Sequence, residues 1–265
     1  MNEAAKVIAG GDFEKRIEVK TRDEVGQLGE SFNNMAESLA QQERLRRDFI
    51  ANVSHDLRTP LTSMRGFLKA MLDGTAPPEK TRHYLGIVLA ETERLSEMAN
   101  DILALNRLQS EEPVLTRSEF DVNELITGTV SVFETRIAER EITLETKLEN
   151  TEKTNADYEK IQRVVYNLLD NAVKFTPPGG KINIETRAAE KKIFVKIKDT
   201  GCGINPEQQK RVFDRFYKTD EARSESGSGL GLSIARAFIK AHGEDITLVS
   251  TEGEGSEFEF SLAVV

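Results

Sequence analysis

The sequence has little cysteine and no long apolar run, and each shortage excludes a class of protein. The single cysteine, Cys202, excludes an intramolecular disulfide framework and fits a reducing compartment such as the cytoplasm. No stretch of about 18 consecutive apolar residues is present, which is the length that a membrane-spanning helix needs. A basic and then apolar leader is also missing. We therefore expect this chain to be cytoplasmic, without a membrane span or an export signal of its own.

Acidic residues outnumber basic ones, 45 Asp and Glu against 36 Lys and Arg, for a net charge of -9. Such a chain is repelled by nucleic-acid phosphates, so we expect no nucleic-acid partner. The length of 265 residues is enough for roughly two domains with hydrophobic cores of their own.

The first part of the chain is predicted to be helical. Apolar residues recur at spacings of three and four over residues 23–39, as in the seam of a coiled coil, and again over 45–68 and 84–105. The sequence DGTAPPE at 73–79 breaks this pattern with a glycine and two prolines. Two amphipathic helices joined by a turn form a hairpin, and two hairpins would bury their apolar stripes in a four-helix bundle. We therefore expect a homodimer.

A proline interrupts the first of these helices in the sequence SHDLRTP at 54–60. Pro60 has no N–H, and its ring crowds the carbonyl group of Asp56. We predict a bend just below His55, and the hypothesis is that this bend is a hinge between signalling states.

The second half of the chain mixes two periodicities. Helical patterns are predicted at 121–140, 157–175 and 229–242, and alternating strand patterns at 141–149, 181–187, 192–199 and 256–264. This order predicts an α/β (α+β) sandwich with helices on one face of a sheet.

One of these helices carries amide side chains at a spacing that suits a phosphate site. In NLLDNAVKF, Asn167 and Asn171 are four residues apart and share a helix face, and Lys174 follows on the same side. Amide oxygens and an ammonium group could together serve a magnesium-bound polyphosphate. The alternative is that these are ordinary surface residues of a helix.

Two glycine-rich stretches could lie against a ligand. In DTGCGI, Asp199 could accept from an exocyclic amine while Gly201 and Gly203 let the backbone approach the ligand. In GSGLGL, glycines at alternate positions precede a helix, where free N–H groups attract anions. The alternatives are a plain strand-end turn and a flexible linker. Neither stretch forms a dinucleotide fingerprint or a P-loop.

Taken in order, these stretches resemble the sensor histidine kinases of two-component signalling. SHDLRTP resembles their H box, and NLLDNAVKF, DTGCGI, RVFDRFYK and GSGLGL resemble their N, G1, F and G2 boxes. The patterns GDFEKRI and RDEVGQLGESFNNM resemble the back part of a HAMP module. The resemblance implies a HAMP-like segment at 1–43, a dimerisation and phosphotransfer hairpin at 44–111, and a Bergerat-type ATP-binding domain at 112–265.

The resemblance also implies an activity. His55 would take the γ-phosphoryl group of ATP and pass it to an aspartate in the receiver domain of a response regulator. Asp56 would steady the imidazole, and Thr59 would position water for a phosphatase reaction on the same partner. A membrane segment absent from this chain would anchor the parent protein in the cell membrane.

The nucleotide site follows from the same resemblance. Asn171, helped by Asn167, would hold Mg²⁺ against the ATP phosphates, and Asp199 would bind the adenine amino group in a pocket shaped by Gly201 and Gly203. The residues expected at the lid or near the phosphates are Lys174, Tyr217, Lys218, Gly227, Gly229, Leu230 and Gly231.

Two other functions remain open from the residues. An ATPase of the same nucleotide fold would use hydrolysis to drive a conformational cycle, although such enzymes rely on a glutamate where this chain has Asn167. A dimeric signalling scaffold would bind nucleotide without catalysis. His83 and His242 are weaker candidates than His55, and for His242 a favourable contact with a helix C-terminus is the simplest interpretation.

Overall fold

The computed structural model describes residues 6–8, 10, 12–19, 21, 23–110, 115–149, 152–219 and 229–265. The chain divides into two compact units, Met1–Glu91 and Thr92–Val265, and each is described by itself. One helix, introduced below, crosses the boundary between them.

The first unit is dominated by helix α1, Glu24–Leu72. This helix begins after Asp23 because the Asp23 side chain accepts hydrogen bonds from the backbone N–H groups of Val25 and Gly26. Pro60 lies inside the helix without ending it, so the two predicted helical stretches at 23–39 and 45–68 are one element. The bend below His55 stays a prediction.

The side chain of Asn33 ties the segment before α1 to the helix. The amide of Asn33 accepts from the backbone N–H of Ile17 at 2.8 Å and donates to the Ile17 carbonyl at 2.9 Å. A side chain on Gly26 would lie only 2.0 Å from the Thr21 carbonyl oxygen, so the glycine allows the chain to approach the helix closely. The described part of 9–23 contains neither helix nor strand.

A short turn leads to helix α2, Thr81–Ser110, after a 3-10 helix at Pro78–Lys80. The rings of Phe67 and Tyr84 meet across the turn with centroids 5.0 Å apart. The predicted helical hairpin is therefore confirmed, and α2 continues from the first unit into the second.

The second unit contains two sheets. Its elements in chain order are β1 Arg117–Asp121, α3 Val122–Ser131, α4 Glu134–Glu139, β2 Thr143–Leu148, β3 Lys153–Asp157, α5 Tyr158–Phe175, β4 Lys181–Ala189, β5 Lys192–Asp199, α6 Pro206–Gln209, α7 Gly231–Ala241, β6 Ile246–Thr251 and β7 Gly255–Ala263. The larger sheet has the order β2-β4-β5-β7-β6, with β2 parallel to β4 and the other neighbours antiparallel, while β1 and β3 pair by themselves.

The core of this unit lies between one face of the larger sheet and the helices. Alternate residues of its strands are fully buried, as Ile184 and Val195 are, and so is the apolar side of α5 at Leu168. The opposite face carries ion pairs between strands, such as Lys196 with Glu257 at 2.8 Å. The prediction of helices on one face of a sheet is confirmed.

The predicted element boundaries differ from the observed ones in three places. The helix expected at 121–140 is two helices, because the chain turns at Val132 and Phe133. Strands β1, β3 and β6 were not predicted. The short helix α6 was not predicted either, although Asn205 caps it and Pro206 begins it.

Candidate active site

His55 lies in the first unit with its imidazole in solvent. Its side chain is 79% exposed, and Nδ1 lies 3.1 Å from Oδ1 of Asp56, which is 20% exposed. Since a carboxylate only accepts, this contact assigns the proton to Nδ1 and leaves the lone pair of the neutral ring on Nε2. The Asp56 carboxylate therefore reaches the ring.

Thr59 lies one helical turn beyond His55. Its hydroxyl donates to the His55 backbone carbonyl at 3.3 Å. This hydrogen bond holds the side chain close to His55. The hydroxyl oxygen can still accept a hydrogen bond from another group.

Asp199 lies at the end of β5 in the second unit and is only 5% exposed. Its Oδ1 accepts from the backbone N–H groups of Gly201 at 2.8 Å and Ser256 at 3.2 Å. Oδ2 accepts no hydrogen bond from any residue that the structure describes. Burial raises the pKa of this carboxyl, although the two N–H groups act in the opposite direction.

Close backbone contacts around Asp199 explain the glycines of DTGCGI. A side chain on Gly201 would lie 2.6 Å from the Phe175 carbonyl oxygen, and one on Gly203 would lie 1.9 Å from the Thr251 carbonyl oxygen. Gly203 also has a φ of +67°, which L residues rarely adopt. Both glycines therefore shape the backbone around the carboxylate.

Sequence reasoning missed two residues that contact Asp199, Gly255 and Ser256. Gly255 has a φ of +123°, and a side chain there would lie 2.0 Å from the Asp199 carbonyl oxygen. Ser256 follows with the second N–H bound to the carboxylate. The signal was the repeated glycine in TEGEGSEF at 251–258, which indicates a turn but does not reveal what the turn packs against.

Helix α5 carries the predicted asparagines next to the start of α7. Asn167 is buried, and its amide donates to the Gly231 carbonyl at 3.1 Å. Asn171 is half-buried, and its side chain makes no hydrogen bond to a described residue. The structure therefore brings Asn167 and Gly231 together and leaves the amide of Asn171 available to a ligand.

Lys174 is engaged with a neighbour that sequence reasoning did not consider. Its ammonium group pairs with Asp170, four residues earlier on α5, and Asp170 also accepts from Arg136 at 2.9 Å. Arg140 donates to the backbone carbonyls of Val173 and Lys174 at 2.8 and 2.7 Å. No local pattern in the sequence connects these arginines with α5.

A backbone hydrogen bond joins the stretch RVFDRFYK to Gly229, one of the predicted lid residues. The N–H of Phe216 donates to the Gly229 carbonyl at 3.0 Å, and both residues have positive φ, +58° and +68°. Tyr217 lies under the Arg211 guanidinium at 4.6 Å from the ring centre, Lys218 is half-buried, and Leu230 is fully buried just before α7. Gly227 lies outside the described residues.

His242 makes the predicted contact with a helix C-terminus and a second contact that sequence reasoning did not predict. Its Nε2 accepts from the Asp157 backbone N–H at 3.0 Å, and its Nδ1 lies 2.7 Å from the Phe238 carbonyl, to which it donates. Burial lowers the pKa of the imidazole. The ring is therefore neutral and joins the end of α7 to the start of α5, and its bond to the Phe238 carbonyl is the favourable contact with a helix C-terminus that the sequence predicted.

Comparisons with known proteins match this arrangement over most of the chain. Models of three families match: HAMP at residues 1–41, the His Kinase A phospho-acceptor domain at 45–111, and the histidine kinase-, DNA gyrase B- and HSP90-like ATPase at 156–265. The sensor-like histidine kinase SenX3 of Mycobacterium tuberculosis is 30% identical over 98% of this chain and 68% of its own length. This chain belongs to the sensor histidine kinases.

Other members of the family are similarly distant. Sensor histidine kinase WalK of Bacillus subtilis is 34% identical over 84% of this chain, but the match spans only 38% of WalK. The solved structure of histidine kinase ThkA in complex with response regulator protein TrrA matches 88% of this chain and 66% of that chain, at 28% identity and a TM-score of 0.67. The fold of a long helical hairpin followed by an α/β domain with a mixed sheet is thus the fold of this histidine-kinase family.

Proposed function

We propose that this chain is an ATP-dependent histidine autokinase that phosphorylates His55 and transfers the phosphoryl group to an aspartate of a response regulator. The observation that carries the proposal is the His55 imidazole, which is 79% exposed and bound through Nδ1 to Asp56. A half-buried histidine with both ring nitrogens engaged, as His242 is, could not attack a phosphate.

The reaction uses the lone pair on Nε2 of His55. This atom attacks the γ-phosphorus of ATP in line, the new N–P bond forms as the bond from phosphorus to the ADP oxygen breaks, and ADP leaves. Positive charge develops on the ring during the attack, and the Asp56 carboxylate stabilises it through Nδ1–H. The Nδ1 proton then passes to Asp56 or to water, which restores a neutral ring on the phosphohistidine.

The second unit would bind the nucleotide. Asp199 would accept from the adenine amino group through Oδ2, because Oδ1 already accepts two backbone hydrogen bonds. Asn171, helped by Asn167, would hold Mg²⁺ through amide oxygens, which suit this hard cation, and the ion would neutralise charge on the phosphates. Lys174, Tyr217 and Lys218 would lie near the phosphates, and the residues around Gly229, Leu230 and Gly231 would form the hinge of the lid.

The partners would be a second copy of the chain and a response regulator. Apolar side chains on the first unit are exposed in a single chain, among them Leu61, Leu68, Leu85 and Leu89, and a phospho-acceptor hairpin implies dimerisation. The complex of the relative ThkA with TrrA supports a response regulator as the acceptor. Thr59, fixed beside His55, would serve dephosphorylation of that partner.

The membrane relation of the parent protein is also part of this proposal. Within the residues that the structure describes, no helix has the length and apolar character of a membrane span. The HAMP match and membrane-sensor relatives support a parent protein that is anchored in the cell membrane through a segment outside this chain.

The test is labelling with γ-labelled ATP and Mg²⁺. We expect label on the wild type that is stable in base and labile in acid, no label on His55→Ala, and full label on His83→Ala, whose imidazole is also exposed on the hairpin. ATP hydrolysis without protein label would favour the ATPase function. Nucleotide binding without either reaction would favour the scaffold.

A further inference from the structure

An acidic residue lies between the two asparagines of α5 and bridges two cations. Asp170 accepts from Nη1 of Arg136 at 2.9 Å and pairs with the ammonium group of Lys174. The side chains of Asp170 and Lys174 are each 19% exposed. The proposed function gives a task to Lys174 and to both asparagines but none to Asp170 or Arg136.

Helix geometry lets Lys174 contact either of two groups. At about 100° per residue, Lys174 lies between Asp170 on one side of the helix face and Asn171 on the other. Its flexible four-carbon stem allows the ammonium group to lean either way without a change in the backbone. In this structure the ammonium group is at Asp170, and the Asn171 side has no described hydrogen-bond partner.

Arg136 determines how strongly Lys174 is held there. A carboxylate that is mostly buried is destabilised when it loses its only cation. Asp170 has two cations, so the departure of Lys174 would leave it paired with Arg136. Arg136 is itself steadied over the Phe133 ring, with its guanidinium carbon 5.4 Å from the ring centre.

We propose that Arg136 and Asp170 are positioning residues that hold Lys174 ready and release it to the nucleotide phosphates. Asp170 keeps the ammonium group beside the site before ATP arrives. Arg136 lowers the free-energy cost of separating Lys174 from Asp170, because it continues to neutralise Asp170. The inference rests on the proposed function, in which Lys174 contacts phosphate.

The experiment measures the affinity of the full chain for a non-hydrolysable ATP analogue and for adenosine, in Arg136→Met, Asp170→Asn, the double variant and Lys174→Met. Arg136→Met should weaken binding of the analogue by about threefold to tenfold, since Asp170 then keeps Lys174 as its one cation among the described residues. Asp170→Asn should bind the analogue as tightly as the wild type or more tightly, because Lys174 is no longer held. The double variant should match Asp170→Asn.

Two further variants test whether charge is responsible. Arg136→Lys keeps the cation and should restore most of the affinity that Arg136→Met loses. Arg187→Met removes an arginine that pairs with Glu259 at 3.5 Å on the other face of the sheet, and it should leave affinity unchanged. Adenosine should bind all variants equally, because it has no phosphate.

Arg136→Met should weaken binding of the ATP analogue and Asp170→Asn should not, and this difference makes the proposal refutable. If Asp170→Asn weakened binding as much as Arg136→Met, the two residues would simply brace the helix and the proposal would fail. It would also fail if Arg136→Met had its full effect in the Asp170→Asn background. Wild-type affinity in Lys174→Met would remove Lys174 from the phosphate site and overturn the proposal, whereas labelling of His55 would still decide the proposed function separately.

Discussion

Replacing Asp199 by asparagine should weaken ATP binding without harming the fold. The asparagine Oδ1 can still accept from the N–H groups of Gly201 and Ser256, so the bonds that the structure records for Oδ1 survive. The position of Oδ2 becomes an NH₂ group, which is a donor facing the donor amino group of adenine. A hydrogen bond with a charged partner contributes about 1.5–3 kcal/mol, so affinity should fall by about 10- to 150-fold.

The same substitution should leave the unliganded protein at least as stable as the wild type. Since the pKa of Asp199 is raised in the folded state, its charged form destabilises the fold at neutral pH, and the destabilisation disappears as the pH falls and the group is protonated. Asparagine has no charge to bury. The temperature of unfolding at pH 7 should therefore stay constant or rise.

Titration calorimetry with a non-hydrolysable ATP analogue, at several pH values, tests this reasoning. The wild type should lose affinity for the analogue towards acid pH as Asp199 is protonated. Asp199→Asn should not show this pH-dependent loss. Asp245→Asn removes a carboxylate that pairs with Arg236 outside the pocket and serves as the control. Wild-type affinity in Asp199→Asn would refute the adenine contact, and a marked loss of stability would refute the argument from Oδ1.

Two further predictions concern the second unit. Because burial lowers the pKa of His242, the unfolded chain takes up a proton first, so the free energy of unfolding should decrease as the pH falls below about 6.5. In urea titrations, the free energy of unfolding of His242→Gln should decrease less as the pH falls. A decrease identical to that of the wild type would contradict the assignment of this effect to His242. Gly203→Ala should destabilise by more than the roughly 1–3 kcal/mol of backbone strain, because its side chain would also overlap the Thr251 carbonyl. Gly179→Ala, with positive φ but open space, should lose only about 1–2 kcal/mol, and equal losses would refute the overlap.

The strands that sequence reasoning missed have two different physical causes. Strand β3, KTNAD, has no apolar alternation, and it is extended because it pairs with β1 from Arg117↔Asp157 to Asp121↔Lys153. Strand β6 alternates, but it lies at the edge of its sheet with Val249 68% exposed. Strand β3 thus depends on a partner distant in sequence, which local patterns do not reveal, whereas β6 pairs with β7, the next strand in the chain, and its edge position leaves alternate residues exposed.

The candidate site was predictable to the extent that its chemistry is local. The spacing of His55 and Thr59, the asparagines of α5 and the glycines of DTGCGI are readable because each motif lies within one turn or one helix. Gly255 and Ser256 were missed because they meet Asp199 across two strands. Arg136 was missed because its contact with Asp170 joins residues 34 positions apart.

The sequence by itself determined the family, the helical hairpin, the position of the candidate phospho-acceptor His55 and the order of the nucleotide motifs, because periodicity and short motifs are properties of neighbouring residues. Only the tertiary structure decided the charge partners. It assigned Oδ1 of Asp199 to the N–H of Ser256 as well as that of Gly201, made His242 a neutral link between two helices and gave Asp170 a second cation in Arg136. Those assignments depend on which distant residues the fold brings within hydrogen-bond distance, and burial then sets the strength of each contact.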